Sequence, residues 1–81
     1  DHIRECELLR TEGIIAMADG RMDDAVLKLL DSLSFKTVHH LNNPCIEAAH
    51  LADLASAQLA AGRITDARKT LARAARVKVE W

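Results

Sequence analysis

The sequence predicts an all-α fold of two antiparallel helical hairpins stacked on one another. Three observations carry that expectation. The chain of 81 residues holds fourteen alanines and many leucines but no tyrosine, one Phe, one Trp, one Pro and three Gly. Alanine and leucine lose least on entering a helix, and breakers are scarce. Strand-forming residues never cluster. The chain also repeats itself: "ADGRMDDA" at 18–25 returns as "AAGRITDA" at 60–67, with Gly20 and Gly62 standing 42 residues apart. Finally, the punctuation suits helices, with Asp1 or Asn43 before each unit and a glycine in the middle of each.

At an offset of 42 the match runs along most of the chain. Asp1 falls on Asn43, Glu5 on Glu47, Leu9 on Leu51, Gly13 on Ala55 and Met17 on Leu59. Beyond the glycines, Arg21 falls on Arg63, Asp24 on Asp66, Ala25 on Ala67 and Leu29 on Leu71. Periods of 20 to 50 residues mark stacked supersecondary units. Repeat one is therefore read as 1–42 and repeat two as 43–81, forming a single domain.

The first helix is expected over 2–18, opened by Asp1, a good N-cap, and closed by Gly20. The second follows over 22–41, with Asp23 and Asp24 at the positive end of its dipole. No Gly or Pro interrupts it before "HLNNP", although "SLS" at 32–34 is a weaker candidate break, since serine diverts backbone hydrogen bonds. Asn43 caps the third helix, 44–61, with Pro44 at its first position, where proline is favoured. Gly62 closes that helix, and the fourth runs over 64–79 with Asp66 in its first turn.

Small residues at Gly13/Ala55 and Ala25/Ala67, turn glycines at Gly20/Gly62, and Leu9/Leu51 with Leu29/Leu71 resemble the signature spacing of the tetratricopeptide repeat superfamily. The tetratricopeptide unit has 34 residues, and the longer period here is closer to the variant found in sensor regions of LuxR-type, maltose-regulator-like bacterial transcription activators. The bulky aromatic positions of that signature hold Leu, Met or Ala in this chain. The resemblance implies a right-handed superhelical array in which the first helices of both units line a concave, partner-binding face. Its exposed stripe would be Glu7, Arg10, Ile14 and Met17 on unit one, and Ala49, Ala52, Asp53, Ser56 and Leu59 on unit two. Neighbouring repeats or a twin subunit are the alternative cover for Ile14 and Met17.

Catalytic and metal chemistry find little support. Glu47 and His50 form Glu-x-x-His, half of a di-iron site, but no second copy exists. His39, His40, Cys45 and His50 gather near the unit boundary without the spacing of a zinc knuckle or finger. Cys6 and Cys45 are expected to be buried as small hydrophobes. Ser32, Ser34 and Ser56 lack a nucleophile elbow, the threonines are expected on helix surfaces, and no glycine-rich phosphate loop is present. No cofactor or metal is expected.

Net charge is −1 but uneven: residues 1–43 hold five Lys/Arg against eight Asp/Glu, a balance of −3, and residues 44–81 hold six against four, a balance of +2. Arg63, Arg68, Lys69, Arg73, Arg76 and Lys78 make the last helix basic. Without interleaved aromatics or a reading motif a nucleic-acid surface is not expected; the charge suits the helix dipole, the acidic first half of another copy, or an acidic protein partner. Trp81 is expected to fold back as an apolar plug or to begin a further repeat. Two cysteines fit a reducing cytoplasm, no run is long enough to span a bilayer, and the opening Asp1 suggests a processed or excised piece. The expected role is a non-catalytic protein–protein interaction or scaffolding module binding a partner peptide or helix. The alternatives are a sensor fragment of a larger transcription regulator, or a self-associating helical bundle.

Overall fold

A computed structural model describes residues 1–41 and 43–77 as four helices: α1 His2–Ala18, α2 Met22–Val38, α3 Pro44–Ala60 and α4 Ile64–Ala75. The fold is all-α, with no strand among the described residues. α1 packs on α2, α3 on α4, and the two hairpins meet chiefly through α2 and α3, with a narrower contact between α1 and α3.

The caps follow the sequence. Asp1 Oδ1 accepts from the Ile3 N–H at 3.0 Å, and Asn43 Oδ1 accepts from Cys45 and Ile46 at 3.0 and 3.2 Å. Each supplies an orphan donor of the first turn with a partner. α1 and α3 end in the same way: Gly20 and Gly62 take φ of +79° and +80°. Behind them the N–H groups of Arg21 and Arg63 reach back to the carbonyls of Ala16 and Gln58 at 2.8 Å. This is the left-handed closure that glycine adopts without strain.

α2 ends earlier than expected, at Val38 rather than Leu41. The reason is a third closure of the same kind, with His40 at φ 53° in the glycine's place and the Leu41 N–H bonded to the Lys36 carbonyl at 3.0 Å. "SLS" does not break α2, because Ser32 turns its hydroxyl across to α1 instead of competing for its own backbone. α4 stops at Ala75 rather than 79. Lys78 and Trp81 lie outside the described residues.

Gly13 makes the hairpin close. A Cβ there would lie 2.8 Å from Leu29 Cγ and 3.4 Å from the Ala25 carbonyl oxygen, so only hydrogen fits between α1 and α2 at this level. Ala55 and Ala67 are likewise buried at the matching level of unit two. The core joins both hairpins: Ala16, Ala25, Val26, Leu29 and Leu33 form one cluster with Leu51, Leu54 and Ala57. Each fully buried Leu or Val contributes about 1.5–3 kcal/mol, so the α2–α3 seam is what makes the two repeats one body.

Candidate interaction surface

The first helices carry a polar seam between the hairpins. Arg10 Nε donates to Asp53 Oδ2 at 2.7 Å, and Arg10 also lies 3.4 Å from Glu7. The hydrogen bond and charge of Asp53 hold the Arg10 guanidinium above its ordinary pKa. One turn away, His50 Nε2 lies 3.0 Å from Glu7 Oε1, and His50 Nδ1 lies 2.9 Å from Ser32 Oγ. Ser32 Oγ donates to the Cys6 carbonyl at 3.2 Å, and the Cys6 thiol packs 3.5 Å from Ser32 and 3.9 Å from His50 Nδ1. Among the described residues every buried side-chain nitrogen and oxygen has a partner.

A hydroxyl, an imidazole and a carboxylate in series could activate a nucleophile. Here Ser32 and His50 expose no surface at all, so an external substrate has no path to Ser32 Oγ in this conformation. What the series does is join three helices. Lys36 with Glu47 at 3.6 Å and Arg63 with Asp23 at 3.0 Å add further ties between the hairpins.

These contacts change the reading of the stripe. Glu7, Arg10 and Asp53 are half-buried and already paired across the seam, and Met17 is half-buried against the core. Ile14 and Ser56 are exposed, as is Leu59 beyond them, while the Ser56 hydroxyl donates to the Ala52 carbonyl at 3.0 Å. Both seam pairs, Glu7–His50 and Arg10–Asp53, join residues 43 apart. That spacing is one repeat plus one residue, because α3 sits slightly offset on α1. Complementary polar side chains at that spacing, Arg10 with Asp53 above all, were the available signal.

Two expectations about small residues fail. Cys45 is exposed, since it lies in the first turn of α3 beyond the seam, whereas Cys6 is buried. Thr70 is buried rather than on the surface, its hydroxyl donating to Gln58 Oε1 at 2.6 Å between α3 and α4. The residues weighed as metal ligands disperse: Glu47 pairs with Lys36, His50 is sealed at the seam, and His39 stacks between His2 and Phe35. Among the described residues no group of three or more His, Cys, Asp or Glu could hold a metal ion.

Three concave features stand out among the described residues. A cleft of ≈ 300 Å³ at the hairpin boundary is lined by Ile3, Cys6, Glu7, Leu41 and Ile46 among others. A groove between α1 and α2 is bounded by Glu12, Ile15, Leu27 and Asp31. A third groove, between α3 and α4, is formed by Ala52, Ser56, Leu59, Ile64, Arg68 and Leu71. Leu59, Ile64 and Leu71 stay 60 %, 53 % and 55 % exposed there, with Arg68 as the groove's one charged residue. No helix among the described residues is long and apolar enough to cross a membrane.

No family model matches the chain, and neither a curated protein nor a solved structure does.

Proposed function

We propose that this chain is a non-catalytic protein–protein interaction module of the tetratricopeptide-like kind, which seats a helix or extended segment of a partner protein. The observation that carries the reading is the α3–α4 groove, where three large aliphatic side chains stand open side by side. Large apolar side chains grouped this way on a small domain mark a contact surface, while single ones do not. The exposed end of the stripe, Ser56 and Leu59, runs into this groove, so the receiving surface extends from α3 towards α4. Glu7, Arg10 and Asp53 serve by fixing the angle between the hairpins.

The test compares the wild type with Leu59→Asp and Leu71→Asp, both first shown equally helical by circular dichroism. Proteins retained from a lysate of the source cell are purified and titrated against all three. A purified partner whose affinity falls about tenfold or more on both variants, a loss of ~1.4 kcal/mol, supports the module. Partners that bind all three equally place recognition elsewhere and overturn it.

A second reading, a sensor element of a larger regulator, rests on the boundary cleft. Its ≈ 300 Å³ is at the lower end of volumes that hold small molecules, about 300–1,000 Å³. Ligands that raise the melting temperature of the wild type but not of Ile46→Trp would favour it; absence of any such ligand in a metabolite screen would count against it.

A further inference from the structure

The α3–α4 groove has a counterpart inside the molecule. At the 42-residue offset, Leu59, Ile64, Arg68 and Leu71 correspond to Met17, Met22, Val26 and Leu29. In unit one those positions form the face that unit two covers: Val26 and Leu29 are 1 % and 0 % exposed and share a cluster with Leu51, Leu54 and Ala57. The groove is therefore the same stacking face on unit two, uncovered. The opposite end of the molecule is the complementary face. Ala57, fully buried at the seam, corresponds to Ile15, which is 52 % exposed beside Leu27 in the α1–α2 groove.

From this correspondence we propose that two copies of this chain associate head to tail, the α3–α4 groove of one receiving the α1–α2 face of the next. The inference rests on the module reading above and names the partner at that same groove. Residue chemistry favours this pairing over groove-to-groove contact. Where the internal seam has Val26 and Leu54 in its apolar cluster, the two open faces carry Arg68 and Glu12, which are of opposite sign. Glu12 now lies 2.9 Å from Lys28, an exposed pair that can be shared. Where the seam has Glu7 and His50, the open faces carry Ala49 and Leu8, both apolar. The halves of the chain also differ in charge, −3 for residues 1–43 and +2 for 44–81. A groove meeting a second groove would bring Arg68 against Arg68, and like charges facing each other oppose binding. A face that meets a different face leaves both ends of the pair open, so association continues past the dimer into rings or filaments.

The experiment is sedimentation equilibrium of the whole chain from about 1 μM to about 1 mM, the range in which weak interfaces populate. The wild type is expected to rise in mass with concentration beyond a dimer, and less steeply at high salt. Leu71→Asp on one face and Ile15→Asp on the other should each weaken association by about tenfold or more. An equimolar mixture of the two should form a heterodimer that grows no further, because each variant keeps one intact face. Arg68→Glu should weaken association, and adding Glu12→Arg to the same chain should restore it. Val38→Asp, an exposed apolar site on neither face, should change nothing.

A wild type that stays monomeric throughout overturns the proposal. If a different purified protein still binds through Leu59 and Leu71, the module reading survives that result; if none does, both fall. A dimer abolished by Leu71→Asp, unaffected by Ile15→Asp and not rescued in the mixture shows a groove-to-groove contact and sinks the head-to-tail arrangement. If a chain shortened after Val77 associates and the full chain does not, the chain's own C-terminal residues fill the groove, and the proposal falls as well.

Discussion

Gly13→Ala sets two effects of known sign against each other. Replacing glycine by alanine inside a helix favours the helix by about 1 kcal/mol. On an open face of α1 the substitution would stabilise. At Gly13 the added Cβ would lie 2.8 Å from Leu29 Cγ, closer than carbon atoms approach, and a tight 3.2 Å from Leu29 Cδ2. Leu29 has little room to yield, since it is fully buried, and the Cβ would already touch the Ala25 carbonyl oxygen at 3.4 Å. Overpacking of this kind costs about 1–3 kcal/mol, which exceeds the propensity gain. The expected outcome is a net loss of up to about 2 kcal/mol, a fall in melting temperature of up to roughly 16 °C for a domain of this size. Thermal and urea melts followed at 222 nm measure it. The double variant isolates the cause. Leu29→Ala alone should cost about 2–5 kcal/mol, but in its presence Gly13→Ala should become neutral or stabilising, a coupling of about 1–3 kcal/mol. A higher melting temperature for Gly13→Ala alone, or strict additivity in the double variant, would refute the close approach of α1 and α2.

Four further outcomes are expected. His40→Gly should raise stability by about 0.5–1 kcal/mol, because relief of the left-handed strain of about 1–2 kcal/mol exceeds the added freedom of the unfolded glycine; an unchanged or lower melting temperature would show that φ 53° is not strained there. A double-mutant cycle on Arg10→Ala and Asp53→Ala should give a coupling of about 1–2 kcal/mol, between the values for exposed and buried pairs, as suits side chains 27 % and 29 % exposed; a coupling near zero would mean the pair does not set the hairpin angle. The Lys28 amine, raised above 10.5 chiefly by its hydrogen bond to Glu12, should titrate above that value by NMR and fall towards it in Glu12→Gln. Because the folded value is the higher one, whatever this pair adds to stability is complete below pH 10.5 and lost only as pH rises through the folded value, so a transition at neutral pH would contradict it. Finally, a thiol reagent should modify Cys45 at once and Cys6 only on unfolding; two fast thiols would contradict burial of Cys6 beneath Ser32 and His50.

Much of the fold is legible in the chain because its signals are local. Asp1, Asn43 and Pro44 act within one turn of where they stand, and Gly20 and Gly62 close helices through their own backbone freedom. The small residues at Gly13 and Ala25 also speak for themselves, since a missing side chain has few uses inside a helix other than close packing. The end of α2 is less legible. His40, an exposed residue at φ 53°, does a glycine's work there, and no glycine in the sequence marks the turn.

The surface is less legible in the chain, and the stripe shows why. Helical periodicity places Glu7, Arg10, Asp53 and His50 on the first helices, but it does not say which residue of α3 lies over which residue of α1. A shift of one residue turns a set of free polar side chains into two cross-hairpin pairs. The same holds for Cys45, left exposed beyond the seam, and for Thr70, buried where its hydroxyl meets Gln58 of α3.

The sequence by itself therefore determined the helical class, the caps, the turns and the two-unit period, because these follow from backbone conformation and contacts within a few residues. Only the tertiary structure decided that the polar stripe is a seam, that Ser32 and His50 are sealed, and that the open apolar face lies between α3 and α4. Those outcomes depend on the offset and angle at which two helices meet, and these are set by the summed packing of many side chains rather than by any one motif.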